Sequence, residues 1–304
     1  MRAWIGAPDG PVLRTVPVPE PAPDEALVRV EAFSVNRGEL NLFRRRAEGW
    51  RPGQDLAGVV VRAAADGSGP AAGTRVVAMN DFGGWARYTA VPVDRMAVLP
   101  DSVGFAESAT LGVAGLTALR ALRRGGPLDG RRVLITGASG GVGSFAVQLA
   151  AARGARVTAL TGTRRELDLK ELGAEQVIGS LADAEGEFDV ILESVGGEVL
   201  QSALKMLSPL GHFVLLGTSS GRTATLSISS FVPHARQTLH PFWVFGSGEP
   251  VGEDLAELVG LIEQGLLHPV LGAVDGWERL PEVMAALRER RIHGKAALLV
   301  DGEV

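Results

Sequence analysis

At 304 residues, with a formal net charge of −5 and charged residues at 21%, the chain is long enough for about two domains and has ordinary globular composition. Basic residues are scattered apart from Arg44-Arg45-Arg46 and the stretch Arg288 to Arg291, which read as solvated faces or phosphate neighbours, so a nucleic-acid partner is not expected. Cysteine is absent, which excludes disulfides, thiolate metal ligands and a cysteine nucleophile, while the lack of a signal-peptide core or of ~20 consecutive apolar residues points to a cytoplasmic protein with no membrane role.

Met1 to about Ala114 is written in short strands and turns. Val28, Val30 and Ala32 alternate with Arg29 and Glu31 across Leu27 to Phe33, the period-two pattern of a half-buried strand. Further strands are predicted at Leu56 to Arg62, Thr74 to Met79 and Trp85 to Val91, parted by turn clusters such as Asp66-Gly67-Ser68-Gly69-Pro70. After Leu128-Asp129-Gly130 the pattern changes to buried strands alternating with helices. Val133 to Thr136 precedes a helix with Val142, Phe145, Ala146, Leu149 and Ala150 on one face. Strands recur at Val157 to Thr161, Gln176 to Ile178, Phe188 to Leu192 and Phe213 to Leu216, and a later helix carries Leu255, Leu258, Val259 and Ile262. This alternation predicts a Rossmann-type, doubly wound parallel sheet covered on both faces. From about Leu267 the β-like text returns, with a short helix around Val283 to Leu287 and a last strand at Ala296 to Val300. The expected organisation is an α/β nucleotide-binding domain, 115–266, inserted into a mostly β substrate domain built from 1–114 and 267–304.

Gly137-Ala138-Ser139-Gly140-Gly141-Val142-Gly143 lies between a buried strand and an amphipathic helix, the context that a dinucleotide-binding turn needs. Gly140 lets backbone approach a pyrophosphate, Gly143 allows close packing of helix on strand, and the helix N-terminus offers unpaired N–H donors. Ala138 stands where the commonest fingerprint has its first glycine. About 20 residues further on, where an acidic residue marks NAD, the chain reads Thr161-Gly162-Thr163-Arg164-Arg165. Hydroxyls and guanidinium groups suit the 2′-phosphate of NADPH, although the two arginines can also decorate a surface helix. Two competing motifs overlap this loop. Gly137 to Gly141 fits a serine-hydrolase nucleophile elbow with Ser139 as nucleophile, and histidines follow it at 212, 234, 240, 268 and 293; the later glycine and arginines have no purpose in that chemistry. A short-chain dehydrogenase needs Tyr and Lys four residues apart, but the only tyrosine, Tyr88, is followed at that spacing by Pro92.

Six segments in order carry a wider likeness: Ser34-Val35-Asn36-Arg37-Gly38-Glu39, Pro52-Gly53-Gln54-Asp55-Leu56-Ala57-Gly58, Gly83-Gly84-Trp85-Ala86-Arg87-Tyr88, Leu116-Thr117-Ala118-Leu119, the glycine loop, and Leu172-Gly173-Ala174. Over nearly its whole length the chain resembles the medium-chain dehydrogenase/reductase superfamily, in its zinc-free quinone oxidoreductase or zeta-crystallin-like branch. The resemblance implies a GroES-like fold for the β domain. It also implies that Asn36 lies beside nicotinamide and substrate, as the catalytic residue, and that Thr117 approaches the nicotinamide amide. Ser194-Val195-Gly196 and Gly217-Thr218-Ser219 look like the family's cofactor-lining turns, and Phe242 to Phe245, Phe245 in particular, approaches the nicotinamide end. Blander roles exist for each: Asn36 can cap a turn, Thr117 can bond its own helix, and Phe242 to Phe245 can be a core strand.

Zinc-using relatives carry Gly-His-Glu and cysteine ligands, whereas the matching place here reads Gly53-Gln54-Asp55, so no metal is expected and the five histidines read as structural or surface residues. Glu39 replaces the family's usual Asp, Trp50 stands where some enoyl reductases place a donor Tyr, and Ser180 stands where some relatives have an aromatic residue near the adenine. The resemblance implies a zinc-independent, NADPH-dependent oxidoreductase that transfers hydride to a quinone or activated enone, a small electron-poor molecule. The alternatives are an enoyl reductase acting on a thioester or biosynthetic intermediate, and an NADPH-binding protein with a sensing or structural role. A homodimer is expected, with Thr225 to Ile228 and Phe242 to Phe245 as candidate edge strands.

Overall fold

The computed structural model describes residues 1–8, 10–43, 45–162, 168–227, 230 and 236–300. The chain divides into two units, one of residues 1–116 and 248–304 and the other of residues 117–247.

The first unit opens on an antiparallel hairpin, β1 (Arg2–Ala7) and β2 (Gly10–Thr15). The long strand β3 (Glu25–Val35) buries Val28 and Val30 and leaves Arg29 out, as its alternation predicts. After α1 (Arg37–Leu42) come β4 (Asp55–Arg62), β5 (Arg75–Met79), β6 (Tyr88–Pro92), β7 (Met96–Val98), the short helix α2 (Phe105–Ser108) and a π-helical turn, Leu111–Gly115. The second unit follows with α3 (Leu116–Arg124), β8 (Arg132–Thr136), α4 (Gly141–Ala151), β9 (Arg156–Leu160), β10 (Gln176–Ile178), β11 (Phe188–Glu193), α5 (Gly197–Leu204), β12 (Leu207–Leu215) and β13 (Thr238–Pro241). The chain then returns to the first unit through α6 (Val251–Glu263), β14 (Leu271–Gly276), α7 (Leu280–Arg288) and β15 (Lys295–Leu299).

The first unit is a mixed sheet of order β14-β15-β3-β4-β5-β7, with β6 paired to β3. Its core gathers Phe33, Leu56, Trp85, Trp277, Leu280 and Leu298, all essentially inaccessible to solvent. Full burial of one such aliphatic or aromatic side chain contributes roughly 1.5–3 kcal/mol, so this cluster accounts for much of the unit's stability. Strand β15 comes from the far end of the sequence yet pairs antiparallel with β3, setting Ala296 opposite Val35 and Ala297 opposite Ser34. That register brings Lys295 beside Asn36.

The second unit is a six-stranded sheet of order β10-β9-β8-β11-β12-β13, parallel throughout. Counted within the unit the order is 3-2-1-4-5-6, the doubly wound arrangement whose strand order reverses between β8 and β11. Ligands bind at the strand C-termini beside such a reversal, which is where the glycine loop after β8 and the Ser194 turn after β11 are found.

The two units part at Ser247, so the helix carrying Leu255, Leu258 and Val259, α6, falls with the first unit. Its Gly252 comes so close to β7 that an added Cβ would stand 2.8 Å from the Met96 carbonyl oxygen, and Leu258 packs against Gly115. One expectation needs correction: Phe242 to Phe245 is not a strand. The sixth strand stops at Pro241, and Val244–Gly246 form a 3-10 turn, so the sheet edge is Thr238–Pro241. Thr225 to Ser227 form no strand, and Ile228 lies outside the described residues.

Candidate functional site

In the second unit, β8 delivers Thr136 and then the glycine loop. Gly137 adopts φ +64, a left-handed conformation open to glycine, and this makes the tight turn one residue before the usual fingerprint position. Ala138 is therefore tolerated there; it is fully buried and its N–H donates to the Leu160 carbonyl at 3.0 Å. A Cβ on Gly143 would stand 2.4 Å from the Gly137 carbonyl oxygen and 2.6 Å from the Ala138 Cα, so this glycine is demanded by the close packing of helix on strand. Helix α4 starts from Gly140 with no side-chain cap and no acidic residue in its first turn, which includes Gly141, Val142 and Gly143. Its first-turn N–H groups and positive dipole end are thereby left for an anion. The loop and helix start fit a dinucleotide pyrophosphate.

Ser139 is buried, and its Oγ accepts a hydrogen bond from Thr161 Oγ1 at 2.8 Å. This joins the loop after β8 to the loop after β9. Thr161 is thus at the sheet's C-terminal edge as expected, while Thr163, Arg164 and Arg165 lie outside the described residues.

The turn after β11 is built around a residue that the sequence reading passed over. Glu193 is fully buried; its Oε1 accepts from the Val195 N–H at 2.8 Å, the Gly196 N–H at 3.0 Å and the Thr136 hydroxyl at 3.2 Å, and its Oε2 from the Gly196 N–H at 3.1 Å. Burial raises its pKa above the usual carboxylate range, and these hydrogen bonds oppose the rise. Thr136 Oγ1 in turn accepts the Ser194 N–H at 3.0 Å, and Ser194 Oγ donates to the Thr136 carbonyl at 2.9 Å. The turn after β12 is laced onto the same frame, with Ser219 N–H donating to the Ser194 carbonyl and Ser220 N–H to the Val195 carbonyl, both at 2.9 Å. Gly196 sits at φ +79, facing Thr218. Ser194, Val195, Gly196, Gly217, Thr218 and Ser219 therefore converge in one place, as the sequence order anticipates.

Thr117 lies buried in the first turn of α3. One turn on, the buried Arg120 donates from Nη1 to Ser247 Oγ at 2.7 Å and to the Val244 carbonyl at 3.4 Å, tying the 3-10 turn that carries Phe245 to this helix. Phe245 is half-buried beside the exposed Trp243. At the far sheet edge, His212 Nδ1 and His240 Nε2 lie 3.2 Å apart, and burial, then His212 and Arg124, lower the pKa of His240. His234 lies outside the described residues.

Asn36 belongs to the first unit, where it is part of a buried polar cluster. Its Nδ2 donates to Asp55 Oδ2 at 2.8 Å, and its Oδ1 accepts from Lys295 Nζ at 2.5 Å. Ser34 Oγ also donates to Asp55 Oδ2, at 2.6 Å, and Asp55 Oδ1 accepts the Val113 N–H of the π-helical turn at 2.7 Å. Gly112 is required there, because its Cβ would stand 2.4 Å from Asp55 Oδ1. Glu39 reaches back to accept the Asn36 N–H at 2.8 Å and the Gln54 N–H at 3.0 Å. Its carboxyl is pushed up to about 8, first by burial and then by Asp55, while the Asn36 N–H, Lys295 and the Gln54 N–H draw it down. Asp55 is legible in the sequence only as the residue at the place of a zinc relative's Gly-His-Glu, and Lys295 and Glu193 only as charges scattered along the chain.

This donor set does not suit zinc. Asp55, at the place of a zinc relative's Gly-His-Glu, has both oxygens engaged and faces an ammonium, and among the described residues no three of His, Cys, Asp and Glu gather as a metal site. Among the described residues, no helix is long and apolar enough to cross a membrane.

Two family models match the chain: an alcohol dehydrogenase GroES-like domain over residues 22–101 and a zinc-binding dehydrogenase domain over residues 141–264. The chain is 37% identical to a chloroplastic quinone oxidoreductase of Triphysaria versicolor, covering 92% of this chain and 91% of that protein. It is 33% identical to the 2-methylene-furan-3-one reductase of Solanum lycopersicum, covering 98% of this chain and 79% of that protein. In fold it is similar to a mycobacterial protein solved in complex with NADPH, with TM-score 0.89 and 24% identity, covering 99% of this chain and 100% of the other.

Proposed function

Because the chain belongs to the quinone oxidoreductase branch of the medium-chain dehydrogenase/reductase superfamily, we propose that it is a zinc-independent, NADPH-dependent reductase of quinones or activated enones. The observation that carries this reading is the uncapped start of α4 at the strand-order reversal, framed by the turns that Glu193 and Thr136 organise. Gly140, Gly141, Val142 and Gly143 hold the pyrophosphate through backbone N–H groups, and the two turns after β11 and β12 line the rest of the cofactor. Thr161 and Thr163, with Arg164 and Arg165, recognise the 2′-phosphate. Thr117 and Phe245 serve the nicotinamide end. When bound, NADPH supplies a hydride.

Asn36 orients the acceptor by donating a hydrogen bond to its carbonyl, an electrostatic role that matters most as negative charge grows on that oxygen. The proton that balances the hydride comes from water, since quinones and enones yield a stabilised hydroquinone anion or enolate and need little acid catalysis. The enzyme acts in the cytoplasm as a homodimer on a small-molecule substrate.

The test is turnover of purified protein with NADPH or NADH and a panel of quinones, enones and enoyl thioesters, followed by cofactor absorbance. NADPH-dependent reduction of quinones or enones is the expected result, and its preference over NADH is expected to shrink in the Arg164→Ala, Arg165→Ala double variant. Reduction of enoyl thioesters alone favours the biosynthetic reading, and tight NADPH binding with no turnover of any acceptor favours a sensing or structural protein.

A further inference from the structure

We infer that Lys295, acting with Asp55, is a positioning residue that fixes the Asn36 carboxamide in a single orientation and leaves one Nδ2 hydrogen as its free donor. The inference rests on the proposed role of Asn36. A carboxamide has an acceptor end and a donor end that differ little in shape, so its direction is set by its neighbours. Here the neighbours admit one answer. An ammonium only donates, so the group 2.5 Å from Lys295 Nζ is the oxygen; an ionised carboxylate only accepts, so the group 2.8 Å from Asp55 Oδ2 is the nitrogen. Turning the amide over would set donor against donor and acceptor against acceptor.

The same geometry shows why Lys295 is not itself a proton donor to substrate. Its three donor directions go to Asn36 Oδ1 at 2.5 Å, the Val35 carbonyl at 3.4 Å and Asp55 Oδ2 at 3.4 Å, and its side chain is only 4% exposed. Asp55 is similarly committed, to Ser34, Asn36, Lys295 and the Val113 N–H. Of the groups in this network, Asn36 Nδ2 keeps one hydrogen after its bond to Asp55. The pairing joins residues 259 positions apart and depends on the β15 to β3 register, which sets Ala296 opposite Val35.

The experiment uses four variants. Lys295→Met alone leaves Asp55 buried beside no cation and is expected to fold poorly. The charge-neutral Lys295→Met, Asp55→Asn double variant removes both charges together. It is expected to fold, with NADPH affinity unchanged and the acceptor KM little altered, while kcat with quinones or enones falls on the order of 10- to 100-fold, as misplacement of an orienting group costs. The third variant, Asn36→Ala, should lose as much, and adding it to the double variant should lose little more. An independent readout is the side-chain NH2 pair of Asn36 in a 15N-labelled protein, expected as two widely separated, slowly exchanging signals in wild type and as averaged, fast-exchanging signals in the double variant. A folded double variant with wild-type kcat and an unchanged NH2 pair overturns the positioning role. An Asn36→Ala variant that keeps full turnover overturns the proposed role of Asn36 instead, whatever the NH2 signals show.

Discussion

Glu193 holds the backbone N–H of Gly196 with both of its carboxylate oxygens, at 3.0 and 3.1 Å. The same carboxylate takes the Val195 N–H and the Thr136 hydroxyl, so one buried side chain sets the turn after β11 and its tie to β8. Removing it strands the buried Gly196 N–H, at about 1–3 kcal/mol, and the part-buried Val195 N–H at less, and frees the turn. Glu193→Ala is expected to weaken NADPH binding about tenfold or more and to lower the Tm. Glu193→Gln, which keeps one acceptor oxygen, should fall between. Fluorescence titration with NADPH and thermal unfolding measure both, and wild-type affinity in a folded Glu193→Ala protein would show that the turn does not line the cofactor.

The glycines of the loop are expected to differ in what they are needed for. At Gly143 an added methyl meets backbone at 2.4 Å, which nothing can yield without parting helix and strand, whereas at Gly140 its nearest neighbour is the Gly137 carbonyl oxygen at 3.2 Å. Gly143→Ala should therefore destabilise the fold by several kcal/mol, in the range of overpacked buried sites. Gly140→Ala should leave the Tm within a few degrees of wild type and weaken NADPH binding. Equal Tm losses in the two variants would contradict this division.

What the sequence made legible was what lies close along the chain. The β8 to α4 passage was readable because a buried strand, a glycine turn and a helical apolar face follow one another within about 20 residues. The turns at Ser194 and Gly217 were placed by the rule that open sheets bind at strand C-termini. The Lys295 contact with Asn36 had no local signal, since it is made by strands from opposite ends of the chain. The burial of Arg120 has no local signal, because nothing nearby in the chain says that its side chain is held against a turn 124 residues away. The apolar spacing of Leu255, Leu258 and Val259 marks α6 as an amphipathic helix, but an apolar face does not say which sheet it covers. Phe242 to Phe245 has the composition of a strand, yet Pro241 closes the sixth strand before it.

Stability should depend on pH through Glu39. Its carboxyl, enclosed with Asp55 and Lys295, is pushed up to about 8 in the folded protein against an ordinary 4.5. Between those values the folded chain keeps a proton that the unfolded chain has released, so stability falls as pH rises. The contribution is whole below about 4.5 and is lost as pH passes through about 8. The Tm is expected to decline from about pH 6 to about pH 9, and Glu39→Gln, which cannot ionise, is expected to flatten this decline even where its Tm is lower throughout. A Tm that rises over this range in wild type, or the same decline in the variant, would assign the effect elsewhere.

The way Asp55 is used bears on both metal and alcohol chemistry. In a zinc relative the place of Gln54 and Asp55 supplies metal ligands, but here the Gln54 N–H serves Glu39 and both Asp55 oxygens are occupied by Ser34, Asn36, Lys295 and the Val113 N–H. A divalent cation at this place would meet the Lys295 ammonium and find no thiolate, since the chain has no cysteine. Quinone or enone reduction is therefore expected to survive prolonged chelation, and elemental analysis is expected to find well under one zinc per chain. The same arrangement bears on alcohols, whose oxidation requires a base or metal to take the hydroxyl proton as hydride leaves. Lys295 is a saturated donor, Asp55 a saturated acceptor, and Asn36 offers only a hydrogen, so simple alcohols are expected to be inert as hydride donors to NADP+. Efficient oxidation of ethanol, or a stoichiometric zinc whose removal abolishes turnover, would mean that Asp55 exchanges its present partners for a metal and that this network is not the resting state of the working enzyme.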